Sequence, residues 1–364
     1  MQDILILHDA FTFPGGGEKV ASLLARDQNA GLFAAAYAPE AFPDGYFGQS
    51  PPHSLEALKT RPLAAKLSKT LAFMQAFEGF PETSAKAAVF SGALAPMSQA
   101  RIKAYKIHYC HTPPRILFDQ RDFYLKRAAP LKRPLYKLFL GAYRRAYEQA
   151  LLAMDAVAAN SRNVQKRLRD FLGAESEIVY PPCDTKAFAF TGQEDFYLST
   201  ARVDTLKRVD VIVEAFAGMP DKKLVAVSGG SELERVRRMA ANLPNVEVRG
   251  WVDDQTLKTL MGTCIASIYI PRDEDFGISP VESMAAGKPV IGVAEGGLLE
   301  TVADGETGVL LPPNPTAENV ARAVAVLTPQ AALGMRDACE RRARLFDAEI
   351  FLKGMRAMIA GKPA

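Results

Sequence analysis

The sequence predicts an α/β protein made of two doubly wound parallel-sheet domains, and three observations carry that prediction. Short apolar runs of strand composition alternate with segments of helical period along the 364 residues. The runs are continuous and bounded by Gly and Pro, the mark of strands covered by helices on both faces. Near mid-chain, Tyr180-Pro181-Pro182-Cys183 breaks the alternation, because two prolines end a strand and stiffen a connection.

In the first half the predicted strands are Asp3–His8, Leu32–Tyr37, Ala87–Ser91, Ile107–His111 and Asp155–Asn160. The clearest helices there are Glu18–Arg26, Pro134–Leu152 and Arg162–Phe171. The second half repeats the scheme with strands at Phe196–Thr200, Lys223–Ser228, Val246–Val248, Ala266–Ile270, Pro289–Val293 and Gly308–Leu311. The expected domains are therefore 1–182 and 183–347, each long enough to bury its own core. A last helix, about Ala348–Ala360 within 348–364, is expected to fold back onto the first domain.

With 48% hydrophobic and 23% charged residues, the composition is that of a soluble globular chain. The apolar run in Met1–Asp9 is short and lacks a basic flank, unlike a secretory signal. No stretch approaches the roughly 18 consecutive apolar residues that would span a bilayer, so the expected compartment is the cytoplasm. Cys110, Cys183, Cys264 and Cys339 are scattered, which suits neither a disulfide framework nor a zinc site. Residues 1–186 carry 24 Lys+Arg against 17 Asp+Glu, and the remainder 20 against 24. That asymmetry suggests that one domain faces an anionic partner.

The chemistry-bearing string is Glu274-Asp275-Phe276-Gly277-Ile278-Ser279-Pro280-Val281-Glu282. Gly277 permits a tight turn, Ser279-Pro280 opens a helix, and Glu282 lies about one turn inside it. The amides at Gly277, Ile278 and Ser279, with the positive end of the helix dipole, form a site for a diphosphate. A plain acidic loop before an amphipathic helix would share the carboxylate spacing, but not the whole string. Gly287-Lys288-Pro289-Val290-Ile291, then Glu295-Gly296-Gly297 with Glu300, and Gly305 with Gly308 extend the pattern.

This string resembles the E-x7-E region of the large family of retaining GT-B glycosyltransferases that includes many bacterial mannosyl- and glucosyltransferases. The resemblance covers the second half and, more loosely, the first. It implies the GT-B fold, two Rossmann-like domains facing across a cleft. It further implies that Glu274 lies beside the donor sugar and Glu282 bonds the ribose. Ser199-Thr200-Ala201-Arg202-Val203-Asp204-Thr205-Leu206-Lys207-Arg208 looks like the family loop in which an arginine and a lysine, here Arg202 and Lys207, clamp the donor diphosphate. Two cations there would neutralise the leaving group and make a divalent metal unnecessary, so neither metal nor other cofactor is expected. The alternative is a solvated pair capping the helix that follows.

Phe13-Pro14-Gly15-Gly16-Gly17-Glu18 can bring backbone amides against a ligand, with Gly16 and Gly17 the stronger candidates, and for Gly15 a plain strand-to-helix turn stands beside that reading. It is neither G-x-G-x-x-G nor a P-loop. In similar glycosyltransferases this loop meets the donor phosphate or the acceptor. Ile107-His108-Tyr109-Cys110-His111 invites a zinc reading, but no third ligand is near and a strand points the two histidines to opposite faces. His111 ends the strand, where open α/β sheets bind ligands, and it matches a family histidine that hydrogen-bonds the donor sugar. His108 suits a satisfied core position. The nucleotide base is expected near Trp251 and Val252, within Gly250-Trp251-Val252-Asp253.

The string Tyr109-Cys110-His111-Thr112-Pro113-Pro114-Arg115 looks most like transferases that build mannose-containing surface polysaccharide or lipopolysaccharide. That favours GDP-mannose as donor and a glycan or lipid-linked acceptor, and a UDP-hexose stays open. Acceptor contacts would come from first-domain loops such as Phe42–Leu63. The segment 124–147 interleaves Lys126, Arg127, Lys132, Arg133, Lys137, Arg144 and Arg145 with Tyr and Leu. It fits either an anionic membrane surface or the charged outer face of a packed helix. Low net charge and the lack of a binding motif argue against nucleic acid. A nicotinamide oxidoreductase would need the missing glycine fingerprint, and a sugar-nucleotide-binding protein without catalysis would not need Arg202, Lys207, Glu274 and Glu282 together.

Overall fold

A computed structural model describes residues 3–57 and 66–362 of the chain. Of the Phe42–Leu63 stretch expected to meet the acceptor, residues 58–63 lie outside the described residues. The chain divides into two compact units, Met1–Tyr180 with Leu352–Ala364, and Pro181–Phe351. The boundary thus falls two residues before the expected one. The final helix, Ala348–Ile359, passes from the second unit into the first at Leu352 instead of belonging wholly to one domain.

The first unit is built on β1 (Ile4–Phe11), β2 (Gly31–Tyr37), β3 (His53–Ser54), β4 (Thr83–Ser91), β5 (Ile102–Cys110), β6 (Ala156–Ala159) and β7 (Glu177–Ile178). All pairs are parallel, in the order β3-β2-β1-β4-β5-β6-β7. The register sets Leu5 beside Gly31 on one side and Ala88 on the other. Leu5, Leu7, Ala88 and Phe90 share one core with Phe73, Phe77, Tyr143 and Tyr147 from the helices Lys66–Glu78 and Arg133–Leu152. Each such leucine or phenylalanine taken wholly from water stabilises the fold by roughly 1.5–3 kcal/mol.

β5 begins five residues before the expected Ile107. Its first half pairs only with β4, and β6 joins at Ile107. A stretch with one neighbouring strand stays partly in water, so Lys103, Tyr105 and Lys106 break the apolar run that marks the rest.

In the second unit β8 (Tyr197–Ser199), β9 (Leu224–Val227), β10 (Val246–Gly250), β11 (Ser267–Ile268), β12 (Val290–Val293) and β13 (Gly308–Leu311) are likewise all parallel. Their order is β10-β9-β8-β11-β12-β13. β11 is shorter than the expected Ala266–Ile270, although the backbone stays bonded on both sides, from Leu198 N to Ala266 O and from Tyr269 N to Ile291 O. Pro271 then removes a donor and ends the pairing.

In both sheets the chain order reverses beside the first strand of the unit, between β1 and β4 and between β8 and β11. A doubly wound sheet opens a crevice at such a point, outside the carboxyl ends of the strands. Among the described residues no helix is long and apolar enough to cross a membrane.

Candidate functional site

In the second unit the loops after β8 and β11 flank the switch point. After β8 the chain makes a single 3-10 turn at Thr205–Lys207, and Arg208 then adopts a left-handed backbone before the helix Val209–Ala217. After β11, Gly277 is left-handed at φ +91° and caps the helix Ile278–Ala285. A methyl on Gly277 would also stand 3.0 Å from Leu298 Cδ1, so the turn requires glycine twice over. Ile278 and Ser279 open the helix half-buried, and Glu282 follows one turn inside it.

These two loops bring Lys207 and Glu274 together. Lys207 Nζ donates to Glu274 Oε2 at 2.5 Å and to Tyr269 Oη at 3.2 Å, and lies over the Tyr269 ring. Burial, reinforced by Glu274, raises the Tyr269 phenol well above its ordinary range, so it stays protonated. Arg202 does not join this pair. More than half exposed, it bonds Asp204 at 3.1 Å. Burial acts to raise the Asp204 carboxyl, but the Ser231 N–H at 2.9 Å and Arg202 hold it below its ordinary value.

Trp251 is 75% exposed, an unusual setting for the chain's single tryptophan. Its indole packs against Gly229, where a methyl would stand 2.1 Å from Nε1. Val252 beside it is half-buried. Asp253, part of the same predicted region, caps the helix Asp254–Thr263 by accepting from Thr256 N at 2.8 Å. Gly297 packs against the Glu274 loop: its N–H donates to Glu274 O at 2.8 Å, and a methyl there would fall 2.4 Å from Phe276 Cα.

In the first unit the corresponding crevice holds a chain of hydrogen-bonded polar groups. Ser91 Oγ, at the end of β4, lies 2.8 Å from His111 Nε2 and 3.1 Å from His8 Nδ1. His8 Nε2 faces Glu18 Oε1 at 4.0 Å. One hydroxyl cannot donate to both imidazoles, so at least one of the two ring nitrogens donates its proton to Ser91 Oγ. Gly17 makes the close approach tolerable, since a methyl there would stand 3.1 Å from His8 Cε1 and 3.6 Å from His111 Nε2. Gly16 has open space in the same sense. Both glycines are the first residues of the helix Gly16–Gln28 and not loop residues, because Gly15 in extended conformation already turns the chain.

Burial pushes His111 down to about 3, with His8 and His108 adding like-charge repulsion. His108, fully buried, is lowered to about 4 by the same desolvation. Its two ring nitrogens meet Phe90 O at 3.0 Å and Tyr147 Oη at 3.2 Å. Both imidazoles are therefore neutral at physiological pH, able to exchange hydrogen bonds with hydroxyls but not to act as cations.

The family model of glycosyl transferases group 1 matches residues 184–346. The second unit is a group 1 glycosyl transferase domain. The chain is 27% identical over 265 residues to an α-1,3/1,6-mannosyltransferase, ALG2, of Dictyostelium discoideum, covering 60% of each chain. It is 30% identical over 197 residues to a D-inositol 3-phosphate glycosyltransferase of Kribbella flavida, covering 45% of this chain and 46% of that one. The chain thus spans about three-fifths, or less, of the length of these curated relatives. Among solved structures, Anabaena Alr3699/HepE in complex with UDP and glucose superimposes with a TM-score of 0.73 at 17% identity, over 99% of this chain and 100% of that one. The two parallel-sheet units form the GT-B fold.

The glycosyl transferase domain also contains site residues that sequence reasoning missed. Arg208, 8% exposed, holds Glu295 through both guanidinium nitrogens at 3.1 Å. Removing one member of such a buried pair costs roughly 3–5 kcal/mol. Lys207-Arg208 and Glu295-Gly296-Gly297 stood in the quoted strings, but their 87-residue separation hides the pairing. In the first unit His8 and Ser91, 83 residues apart, were missed for the same reason. Two cavities of about 470 and 510 Å³ lie elsewhere, one beside Leu151 and Phe171, the other beside Phe188, Phe190 and Arg336. Among the described residues no group of three or more His, Cys, Asp and Glu is placed to hold a metal ion.

Proposed function

We propose that this chain is a retaining glycosyltransferase that moves a hexose, mannose from GDP-mannose, onto a glycan or lipid-linked acceptor in cell-envelope polysaccharide or lipopolysaccharide synthesis. One observation carries the reading: in a group 1 glycosyl transferase domain, Lys207 and Glu274 meet on the two switch-point loops, beside the amino end of the helix Ile278–Ala285. Cation, carboxylate and helix amides together suit a sugar diphosphate.

In this mechanism Lys207, Arg202 and the amides at Gly277, Ile278 and Ser279 hold the diphosphate, and Glu282 holds the ribose. Trp251 offers its exposed face to the base. Glu274 and His111 orient the hexose. The anomeric C–O bond breaks as the diphosphate leaves with the electron pair. The acceptor oxygen then bonds the same face of the sugar, and its proton passes to the departing phosphate oxygen. Charge on the leaving group is met by the two cations and the helix dipole, so no metal is required. Neutral His111 would exchange hydrogen bonds with a sugar hydroxyl at any pH above about 4.

Mannose is favoured by the mannosyltransferase named among the relatives, and a UDP-hexose by the UDP and glucose named with the Anabaena structure. The polar segment after β5 supports an anionic membrane surface as a partner. Leu131, Leu135 and Leu138 are 97%, 66% and 66% exposed. From Gln120 to Tyr147 the only acid is Asp122, against eight Lys and Arg. A basic face with outward leucines matches a peripheral protein of the inner leaflet.

Thermal-shift titration with GDP, UDP, ADP and their hexose conjugates, with and without EDTA, tests the proposal. Stabilisation by GDP and GDP-mannose that survives EDTA supports it. Selective stabilisation by UDP or ADP keeps the transferase and overturns the mannose assignment. No shift with any nucleotide overturns the donor site.

A further inference from the structure

Outside glycine, left-handed backbone is uncommon, and three such residues in the second unit converge on one carboxylate. Arg208 has φ +53°, Asp273 φ +50° and Asn314 φ +54°. The Arg208 guanidinium meets Glu295 Oε1 at 3.1 Å from both Nη atoms and also donates to Asn314 Oδ1 at 3.0 Å. Asp273 N donates to Glu295 Oε2 at 3.0 Å, and Asn314 N to Oε1 at 2.7 Å. Glu295 itself follows β12, while Arg208, Asp273 and Asn314 lie in the loops after β8, β11 and β13. One side chain therefore ties together four adjacent strand ends. Burial acts to raise its carboxyl, but the Asn314 N–H, Arg208 and the Asp273 N–H hold it below the ordinary range, so it remains an anion.

Two of the tied residues are immediate neighbours of the proposed donor contacts: Lys207 precedes Arg208, and Glu274 follows Asp273. A second set of backbone bonds runs the same way, from Arg272 N to Leu206 O at 2.7 Å and from Gly297 N to Glu274 O at 2.8 Å. A buried ion pair is in itself weak evidence for stability, since apolar residues could fill the space at least as well. What the carboxylate supplies that an apolar side chain could not is direction: acceptor lone pairs that fix three strained turns in one register.

We infer that Glu295 is a positioning residue for the donor clamp, acting through Arg208 and Asp273 to set Lys207 and Glu274 in place. The inference rests on the reading that Lys207 and Glu274 meet the nucleotide-sugar donor.

Calorimetric titration of GDP and UDP against wild type, Glu295→Gln, Lys207→Ala and the double variant tests it. Glutamine keeps the shape but loses the charge and an acceptor. The expected result is about a tenfold loss of nucleoside-diphosphate affinity in Glu295→Gln that shrinks to less than twofold when Lys207 is already Ala. Thr328→Ala, which removes the cap of the helix Pro329–Gly334 in the same unit, should lower Tm without changing affinity. Glu295→Asp, which keeps the charge, should recover part of the loss and serves if the glutamine variant does not fold. Equal losses from Glu295→Gln with and without Lys207, or an affinity loss in Thr328→Ala matching its Tm drop, would overturn positioning and leave the donor site standing. Unchanged affinity in Lys207→Ala would instead overturn the donor site, and the inference with it.

Discussion

At the carboxyl end of the first sheet, His8, Ser91 and His111 form a hydrogen-bonded chain, whereas the same end of the second sheet carries the ion pairs Lys207–Glu274 and Arg208–Glu295. Both lie where a parallel sheet reverses its strand order. Topology therefore fixes the place of a site but not its electrostatics. Desolvation in the first unit strips charge from two imidazoles, while in the second the opposed charges are close enough to survive burial. Neutral imidazoles suit hydroxyl-bearing sugars, and fixed charges suit a diphosphate.

The sharpest way to break this contrast is to remove one member from each side. Lys207→Ala should lower kcat/KM about 100-fold, the loss of a charge-assisted contact of roughly 2.5 kcal/mol. His111→Ala should lower kcat while leaving GDP and UDP affinity unchanged. Steady-state kinetics with calorimetry would show it, and equal loss of nucleotide affinity in both variants would abolish the division of labour.

Two glycines compare the sites by packing. Gly297→Ala drives a methyl to 2.4 Å from the Phe276 backbone, whereas Gly17→Ala meets only the edge of His8 at 3.1 Å. The first should cost about 3 kcal/mol in chemical denaturation and the second about 1. The reverse order would mean that the Glu274 loop yields more easily than the histidine chain.

Acid sharpens the comparison further. Below pH 6.5 the unfolded chain protonates His108 and His111, while the folded first unit does not until about 4 and about 3. The unfolded state then binds more protons, so stability falls as pH falls. At pH 5 the loss is about 2 kcal/mol for His108 and less for half-buried His111. Glu295 and Asp204, with lowered carboxyl values, lose their contribution only as pH falls further, below the ordinary carboxylate range. Hydrogen exchange at pH 7 and pH 5 should therefore show the first unit loosening first, and uniform loosening would contradict this.

The smallest effect calibrates burial against distance. Arg144–Glu148 is shorter, at 2.7 Å, than Arg208–Glu295 at 3.1 Å, but lies in water. Glu148→Gln should change stability by about 0.5 kcal/mol or less. A larger loss of Tm would show that proximity, not burial, governs the ion pairs.

Sequence patterns exposed the sheets and the local halves of each site. β9 and β12 were legible because both their faces are covered and the apolar run is unbroken, while the first half of β5 was not, because Lys103 and Lys106 keep a wet edge. Gly277 and Glu282 were legible because turn and helix are local. The partners of Arg208 and His8 were not, since 87 and 83 residues separate them from Glu295 and Ser91. No local periodicity records a contact closed by sheet topology. Arg202, more than half exposed, bonds Asp204 two residues on, a local pairing that the expected clamp with Lys207 did not include.

The chain leaves the first unit after Tyr180 and re-enters it at Leu352, where Leu352, Met355 and Met358 are buried and Arg356 bonds Asp27. The second unit is thus spliced into the first by connectivity. During synthesis the ribosome finishes the segment Pro181–Phe351 before it delivers the last turns that complete the unit begun earlier. The part translated first must wait with those apolar contacts unmade while the part translated second can already close, reversing the usual order in which domains mature along a nascent chain.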